Sequence, residues 1–229
     1  MSRYFISLLL LLFFVSAMAQ KNEKAKDTVG YKDRYGLRVG ADVVLPVMSF
    51  FDDNNKGFEI VADYRFHKRF YLATEFGYRE HTRQEDFFNF STKGQYIKLG
   101  VDYNAYKNWS GMENMIVVGL RYAFSNFDQI VNEYTINADP FLPERTETDP
   151  VTYGGLNASW AELVLGLKVE VLNNLFLGLS VRGNVMLSQQ QPDNFKNLYV
   201  PGFDRVFVND FGYSFNYTVS YLIPFYRKK

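Results

Sequence analysis

The sequence lacks cysteine and contains only two histidines and two tryptophans. The absence of cysteine excludes disulfides, thiol catalysis, cysteine-ligated zinc and a lipidated N-terminal cysteine. The 25 basic and 25 acidic residues balance, so the charge gives no support for a nucleic-acid partner. After residue 20 there is also no apolar run near the roughly 18 residues that a transmembrane helix needs.

The first residues have the pattern of a secretory signal peptide. Arg3 provides a positive charge, an apolar run extends to Val15, and Ala17 and Ala19 are the small residues of a cleavage site. A polar, charged stretch then predicts a flexible periplasmic leader. The predicted organisation is a signal peptide over 1–19, a leader over 20–34 and an outer-membrane β-barrel over 35–229.

Aromatic residues are abundant, at 18% of the chain, and many recur with a period of two. From Phe211 to Phe225 every second residue is apolar or aromatic, and the residues between are mostly small and polar. This alternation is typical of a β-strand whose two faces meet different surroundings. The eight segments that show it are Tyr35–Leu45, Gly57–Phe66, Phe70–Arg79, Tyr96–Ala105, Met115–Ser125, Asn157–Leu172, Leu175–Leu187 and Asp210–Phe225.

The connections between these strands alternate in length. Those after the second, fourth and sixth strands are short, whereas the other four are longer. We therefore expect an all-β fold, an eight-stranded antiparallel up-and-down transmembrane β-barrel with both termini in the periplasm. The predicted extracellular loops are Phe50–Lys56, Glu80–Gly94, Asn126–Gly155 and Ser188–Asn209.

The polar face of the strands carries seven acidic and seven basic residues. Such a balance is needed inside a narrow barrel, where an unpaired buried charge costs several kcal/mol. Glycines share this face, which a crowded interior explains, because long side chains need room. The predicted interior charge network consists of Arg38, Asp42, Glu59, Asp63, Arg65, Glu75, Arg79, Lys98, Asp102, Arg121, Glu162, Lys168, Glu170 and Arg182.

The apolar face has its aromatic residues near the strand ends, around a band of Leu, Val and Ile. This distribution is typical of the interfacial girdles of a membrane barrel and predicts a location in the outer membrane. A soluble, ligand-binding barrel with an apolar core is the alternative. Eight strands leave an interior just wide enough for side chains, so we expect no open pore. A narrow gated channel or transporter is a second alternative.

Four stretches carry a resemblance to known proteins: Tyr35–Asp42, Glu113–Ile116, Glu170–Gly178 and Pro192–Phe195. Through them the chain resembles an uncharacterised family of exported barrel proteins, that of the domain of unknown function 6048. Its architecture is similar to the OmpA transmembrane domain of Gram-negative bacteria. The resemblance implies an outer-membrane fold but no activity. The last strand also resembles an insertion signal, which implies the barrel assembly machinery as a partner, although the chain ends in three basic residues.

No motif in the sequence predicts catalysis, a cofactor or a metal site. His67 and His81 fall at opposite ends of the predicted barrel and cannot share a metal ion. An enzyme at the rim, with His81 beside Asp86, Asp128 or Ser125, is the remaining catalytic alternative.

The loop from Ser188 to Asn209 is unusually apolar for an exposed loop, which suggests a folded extension or a surface for a protein partner. The expected function is that of a structural or interaction protein. Its expected partners are outer-membrane lipid, lipopolysaccharide and an unidentified protein at the extracellular loops. The predicted partner-contact residues are Phe195, Tyr199, Phe203 and Phe207.

Overall fold

A computed structural model describes residues 33–84, 88–108, 112–136, 145–192, 196–206 and 210–228. The predicted signal peptide and nearly all of the predicted leader lie outside these residues. In the part of the chain that the structure describes, no helix is long and apolar enough to cross a membrane. The elements are β1 Asp33–Asp42, α1 Val44–Phe51, β2 Asn55–His67, β3 Phe70–Gln84, β4 Phe88–Asn104, β5 Met115–Ile136, β6 Arg145–Glu147, β7 Val151–Leu172, β8 Leu175–Gln189, β9 Tyr199–Val200, β10 Asp204–Arg205 and β11 Phe211–Lys228.

Eight of these strands, β1 to β5 with β7, β8 and β11, form one antiparallel ring. Each strand pairs with the ring strands before and after it in the chain. The first and last strands close the ring, with a register that runs from Asp33 opposite Lys228 to Asp42 opposite Thr218. The prediction of an all-β fold with eight antiparallel strands in sequential order is confirmed.

The alternation in the sequence places the polar face of the strands inside the ring and the apolar face outside. In β11, Ser214 and Asn216 are buried, whereas Phe215 and Tyr217 are 56% and 48% exposed. Successive side chains of a strand point to opposite faces of the sheet, and this pattern holds from Phe211 to Tyr217. The interior is therefore polar and the exterior apolar, the reverse of the usual distribution in a water-soluble protein.

Two of the predicted loops are largely strand. The region predicted as the loop Glu80–Gly94 is a long hairpin, because β3 continues to Gln84 and β4 begins at Phe88. β5 and β7 also extend through much of the predicted loop Asn126–Gly155, where β6 pairs with β5. In the extension of β3 the side chains on both faces are polar, so no alternation marks the strand although its backbone pairing continues.

A helix replaces the predicted end of the first strand. That strand ends at Asp42 rather than at Leu45, and α1 follows it. The carboxylate of Asp42 accepts the N–H groups of Val44 at 2.8 Å and Leu45 at 3.1 Å, which the first turn of a helix otherwise leaves without partners. Pro46 lies within this first turn, where a missing N–H costs little.

The first and last strands are both longer than predicted at the end where the described residues begin and end. β1 includes Asp33 and Arg34, which the sequence assigns to the leader. β11 continues past Phe225, and the backbone of Arg227 pairs with that of Arg34. The basic end of the last strand is therefore part of the ring closure.

Candidate functional site

The interior of the ring brings together the charged residues that the alternation assigns to it. Of the fourteen predicted side chains, eleven are buried, and only Arg79, Lys168 and Glu170 are half-buried. They come from seven of the eight ring strands, so closure of the ring places opposite charges side by side. The candidate site is this charged interior and the segment that covers one end of it.

At the centre of the network, Glu75 of β3 contacts two arginines from across the ring. Its carboxylate oxygens contact Nη1 of Arg182 and lie 3.3 Å from Nε of Arg121. The two arginines have second partners, since Arg121 lies 2.7 Å from Asp102 and Arg182 lies 3.2 Å from Glu162. Each of these five charges thus has a neighbour of opposite sign, which offsets much of the cost of removing it from water.

Glu162 and one further carboxylate, that of Glu59, share a lysine. The ammonium nitrogen of Lys98 lies 2.9 Å from Glu162 and 3.9 Å from Glu59. The hydroxyl of Tyr96 donates to one oxygen of Glu59 at 2.7 Å, and the side-chain amide of Asn216 donates to the other at 2.9 Å. Neutral donors on β4 and β11 therefore complete the hydrogen bonding of a carboxylate that has only a distant cation.

Nearer the turn end of the ring, Asp63 lies between two cations. It is 2.6 Å from Lys168 and 3.5 Å from Arg38. The guanidinium of Arg38 also lies over the ring of Phe176, with its carbon 4.2 Å from the ring centre. A cation–π contact and one carboxylate together hold this buried arginine.

The network includes two charged residues that the sequence did not indicate, Arg34 and Glu113. Arg34 lies 3.0 Å from Glu113 and 2.6 Å from Glu170, so the three form a cluster at the turn end. Arg34 lies four residues before Arg38 in β1, so the alternation assigns both side chains to the same face. Extending the alternation back to Arg34 would therefore have predicted its inward position. Glu113 lies in a connection between strands, where no alternation exists to reveal it.

Tyr35 lies inside the ring rather than on the outer face that its position in the alternation predicts. It is 4% exposed, and its ring stacks on Tyr226 at 5.2 Å and lies 4.9 Å from the guanidinium of Arg65. The register between β1 and β11 shifts between Tyr35 and Gly36. The extra residue of this bulge is Phe225, so the irregularity lies in the strand opposite Tyr35. Arg65 itself pairs with Asp33 at 2.9 Å.

Asp42 is buried but binds backbone groups rather than a cation. Besides the two N–H groups of α1, its carboxylate accepts the N–H of Tyr217 at 3.0 Å. Three backbone donors stabilise an ionised carboxylate without help from a positive charge. Asp42 therefore ties the end of β1 to both α1 and β11 and stands apart from the ion pairs predicted for it.

Several interior glycines make room for large side chains. A Cβ at Gly100 would clash first with the backbone oxygen of Leu120 and would lie 2.7 Å from Cδ of Arg121, so this glycine makes room for the neighbouring backbone as well as for an arginine. Other glycines make room for an aromatic ring, because a Cβ at Gly77 or Gly202 would lie 2.3 or 2.5 Å from Tyr96. Gly202 also has a φ of +84°, a conformation that side chains disfavour.

The segment after β8 folds into one end of the ring, and we call its residues 196–206 the plug. Val200 and Phe203 of the plug are fully buried, and Phe203 packs edge-on against Trp160 with ring centres 5.8 Å apart. Trp160 in turn donates its indole N–H to Glu162 at 2.7 Å. The apolar cluster comprises Tyr96, Ala123, Phe127, Leu156, Ala158, Trp160, Met186, Val200 and Phe203.

The plug corrects the prediction of an exposed partner surface. Tyr199 and Phe203 are buried and do not form an outer contact surface, because filling the open end of the ring removes their apolar surface from water. The described part of this segment is a folded extension, the other interpretation that its apolar composition allowed. Phe195 and Phe207, predicted with them, lie outside the described residues.

Polar contacts fasten the plug to the wall. The carboxylate of Asp204 contacts the guanidinium of Arg79 and accepts the hydroxyl of Tyr199 at 3.1 Å. The ring of His81 stacks on Tyr199 with centres 4.3 Å apart. Arg79 thus connects the charged interior to the plug.

The residues of the rim-enzyme alternative contact other groups. His81 lies 2.5 Å from the side-chain oxygen of Asn55, and burial lowers its pKa. The hydroxyl of Ser125 and the carboxylate of Asp128 each bind a backbone group of a neighbouring segment. Asp86 lies outside the described residues. Among the described residues, no hydrogen bond joins Ser125 to His81 or to Asp128.

The middle of the ring is filled by side chains. A cavity beside Glu75, Asp102 and Arg121 measures about 40 Å³. This volume is enough for about one water molecule. The packing of these side chains therefore holds the interior charges in fixed pairs.

The similarity of the whole chain to known sequences agrees with the resemblance carried by its motifs. The model of a family described as "Domain of unknown function (DUF6048)" matches residues 1–228. No curated protein matches the chain.

Proposed function

We propose an outer-membrane role for this chain, which belongs to the DUF6048 family of domains of unknown function. In this proposal the ring is an eight-stranded transmembrane β-barrel with a filled interior, similar in architecture to the OmpA transmembrane domain. It acts as a structural or interaction protein that presents its long hairpins outside the cell. Its surroundings are outer-membrane lipid and lipopolysaccharide, and its assembly uses the barrel assembly machinery.

The observation that carries the proposal is the apolar belt around the outside of the ring. Every ring strand contributes at least one exposed large apolar side chain, and many are about half exposed. Soluble monomers rarely expose contiguous apolar patches above several hundred Å². Lipid is the solvent that suits such a belt, and backbone pairing in a closed ring satisfies the polar groups that lipid cannot. The belt includes Val39, Ile60, Leu72, Leu99, Leu120, Leu165, Leu179 and Phe215.

The filled interior favours an anchoring role over transport. Ion pairs occupy the middle of the ring, and the plug covers the end away from the short turns. A pore would require these pairs to separate within a low-dielectric interior, which costs several kcal/mol for each unpaired charge. The surfaces left for a partner are the hairpin of β3 with β4 and the extensions of β5 and β7.

We expect the chain, expressed in a Gram-negative host, to be recovered with the outer membrane and to resist extraction at high pH. The apolar belt makes release into water unfavourable, so washing does not remove an integral barrel. The measurement is membrane fractionation with immunodetection, with a soluble periplasmic protein as the control. Recovery of the folded chain in the soluble periplasm would contradict the membrane proposal.

We expect no large, stable conductance from the purified chain in planar lipid bilayers. The reason is that paired side chains fill the ring at Glu75 and Arg121. The measurement is single-channel recording, with Tyr122→Ala on the outer face as the control for Arg121→Ala. Conductance steps that change with Arg121→Ala but not with Tyr122→Ala would favour a narrow gated channel instead.

A further inference from the structure

The wall of the ring has a break between β2 and β11. β1 separates these strands only as far as Asp42, which pairs with Thr218. Beyond this point β11 extends to Phe211 and β2 extends to Asn55, each in register with its other neighbour. Over this part, the described residues place the helix α1, and no strand, at the break.

The edge of β11 that borders the break has backbone groups directed into it. Tyr217 donates its N–H to the carboxylate of Asp42 at 3.0 Å, and its C=O accepts the N–H of Val43 at 2.8 Å, so both groups point towards β1. In an antiparallel strand the N–H and C=O of every second residue point to the same side, so those of Phe215 point into the break. Among the described residues, no group on this side binds the backbone of Phe215. β11 therefore offers an edge at which a further strand can pair.

Helix α1 is short and loosely packed. None of its eight residues is buried, and Phe50 and Phe51 are 87% and 88% exposed. The carboxylate of Asp42 binds two N–H groups of its first turn, and the hydroxyl of Ser49 accepts the N–H of Gly57 on β2 at 3.1 Å. Helices of this length are marginal without tertiary packing. These few hydrogen bonds therefore decide whether the helix persists.

The residues of α1 fit the missing part of β1 in number. Continued in its present register with β11, β1 would place Ser49 opposite Phe211, the first residue of β11. The two strands would then match from end to end, apart from the bulge at Phe225. Residues 50–54 would remain as the connection to β2, which is a usual length for a hairpin.

The same continuation also suits β2. In the present register of β1 with β2, Val44 would lie opposite Gly57, whose N–H already points into the break. Pro46 would lie opposite Asn55, the first residue of β2, so the bond that proline cannot donate is the last one of this ladder. Proline is tolerated at such a position, and Pro46 does not exclude a strand.

The side chains of the segment alternate as the ring requires. Met48 would face inwards, opposite Gly212, where a Cβ would lie 2.9 Å from the ring of the plug residue Phe203. The outward residues would all be apolar and would extend the apolar belt. Valine is common among them, and its branched side chain favours a strand over a helix. These outward residues are Val43, Leu45 and Val47.

We propose that residues 43–49 are a conformational switch in the wall, with the helix α1 as one state and a continuation of β1 as the other. In the strand state the edge of β11 gains a backbone partner, and the eight-stranded wall is complete along its length. In the helix state Asp42 holds the first turn, and the edge of β11 stays open. The register and the faces of the segment are the same in any solvent, so the switch does not depend on the proposed membrane role.

Spin labels measure the length of the segment in the full chain. Because the chain lacks cysteine, Val43→Cys and Phe50→Cys provide two unique sites for labels. Over this interval a helix rises about 10 Å, whereas a strand spans at least about 20 Å. Dipolar electron paramagnetic resonance, in vesicles of phosphatidylethanolamine and phosphatidylglycerol, reads both separations. With Asp42 in place we expect the short separation to predominate.

Asp42→Ala is the variant that should favour the strand. It removes the acceptor of the helical N–H groups, and we expect the ratio of the long to the short separation to rise at least about fivefold. The control is Asp52→Ala at the other end of α1, where the carboxylate accepts the N–H of Asn54 at 2.9 Å. An unchanged ratio in Asp42→Ala, or an equal rise in the control, would overturn the proposal.

A crosslink distinguishes a strand from an unravelled helix. In the strand state Val47 lies opposite Tyr213, so the yield of a disulfide between Val47→Cys and Tyr213→Cys should rise when Asp42→Ala is added. The pair of Val47→Cys with Tyr217→Cys, on the same face but out of register, should show no such rise. A long separation without the crosslink in register would overturn the strand state.

Ser49→Val tests the switch without changing Asp42. It removes the hydroxyl that binds Gly57 and supplies a residue that favours strands. We expect the ratio of the long to the short separation to rise here as well, in a chain that circular dichroism shows to be folded. This variant keeps the test decisive if Asp42→Ala does not fold, because an unchanged ratio in folded Ser49→Val would overturn the proposal.

Discussion

Leu165→Arg is expected to lower the free energy of unfolding from a lipid bilayer by about 2–4 kcal/mol. Leu165 lies on the outer face in the middle of β7, paired with Val118 and Val181, and is 52% exposed. At this depth an arginine must keep its charge in hydrocarbon or distort the bilayer to reach water. The measurement is a urea titration of chain inserted in vesicles, followed by intrinsic fluorescence.

The control for this prediction is Leu172→Arg, the same change at the end of the same strand. Leu172 is 67% exposed and precedes the turn at Asn173, so an arginine there reaches the membrane surface at a cost of about 0–1 kcal/mol. The difference between the two variants in the free energy of unfolding is the result that tests the prediction. Losses below about 0.5 kcal/mol at both positions, as surface substitutions in water give, would mean that the belt faces solvent.

Glu75→Ala is expected to destabilise the ring by about 3–5 kcal/mol, the usual cost of removing one partner from a buried ion pair. The change leaves two arginines, Arg121 and Arg182, sharing the space from which the carboxylate was removed. Both retain another carboxylate, yet their mutual repulsion is no longer offset. The measurement is the same titration in vesicles, with the outward-facing Thr74→Ala as a control of similar size.

A double-mutant cycle between Glu75 and Arg182 distinguishes pairing from simple loss of packing. We expect Glu75→Ala with Arg182→Ala to cost less than the sum of the two single changes, by about 0.5–3 kcal/mol. Coupling of this sign means that each residue destabilises the ring when its partner is absent. Additive losses would show that the two side chains fill space independently and would contradict a charge network.

The faces of the strands were predictable because the two surroundings differ so strongly. In β7, the residues from Leu167 to Val171 alternate between apolar and charged, and the same parity places Leu165 outside and Lys168 inside. The same parity identifies interior positions in seven strands without any knowledge of distances. Which charges pair was not predictable, because the curvature of the ring decides which side chains meet across it.

The extents of the strands were less predictable, and the reasons are local. Beyond Arg79 both faces of β3 are polar, so only backbone pairing with β2 and β4 shows that the strand continues to Gln84. At the end of β1, the apolar residues from Val43 to Leu45 were predicted to continue the strand. Instead, Asp42 starts a helix by accepting backbone N–H groups. A short run of apolar residues does not distinguish helix from strand.

The plug illustrates a different limit. Its apolar composition indicated that the segment was no ordinary loop, but composition alone fits an inward or an outward surface equally well. The choice depends on Trp160, Ala123 and Phe127, which leave an apolar space at one end of a charged interior. Trp160 has the parity of Glu162 in β7, so its inward position could be read from the alternation, whereas its contact with Phe203 could not.

Pairing of β1 with β11 joins residues from opposite ends of the described chain and therefore governs how the ring assembles in time. Hairpins between neighbouring strands need only short loops to close, and they form first. Until the last strand arrives, β1 and β8 each present an unpaired edge, and such edges pair readily with other chains. The lifetime of this open sheet, more than the final stability of the ion pairs, then determines whether a newly made chain closes on itself or aggregates.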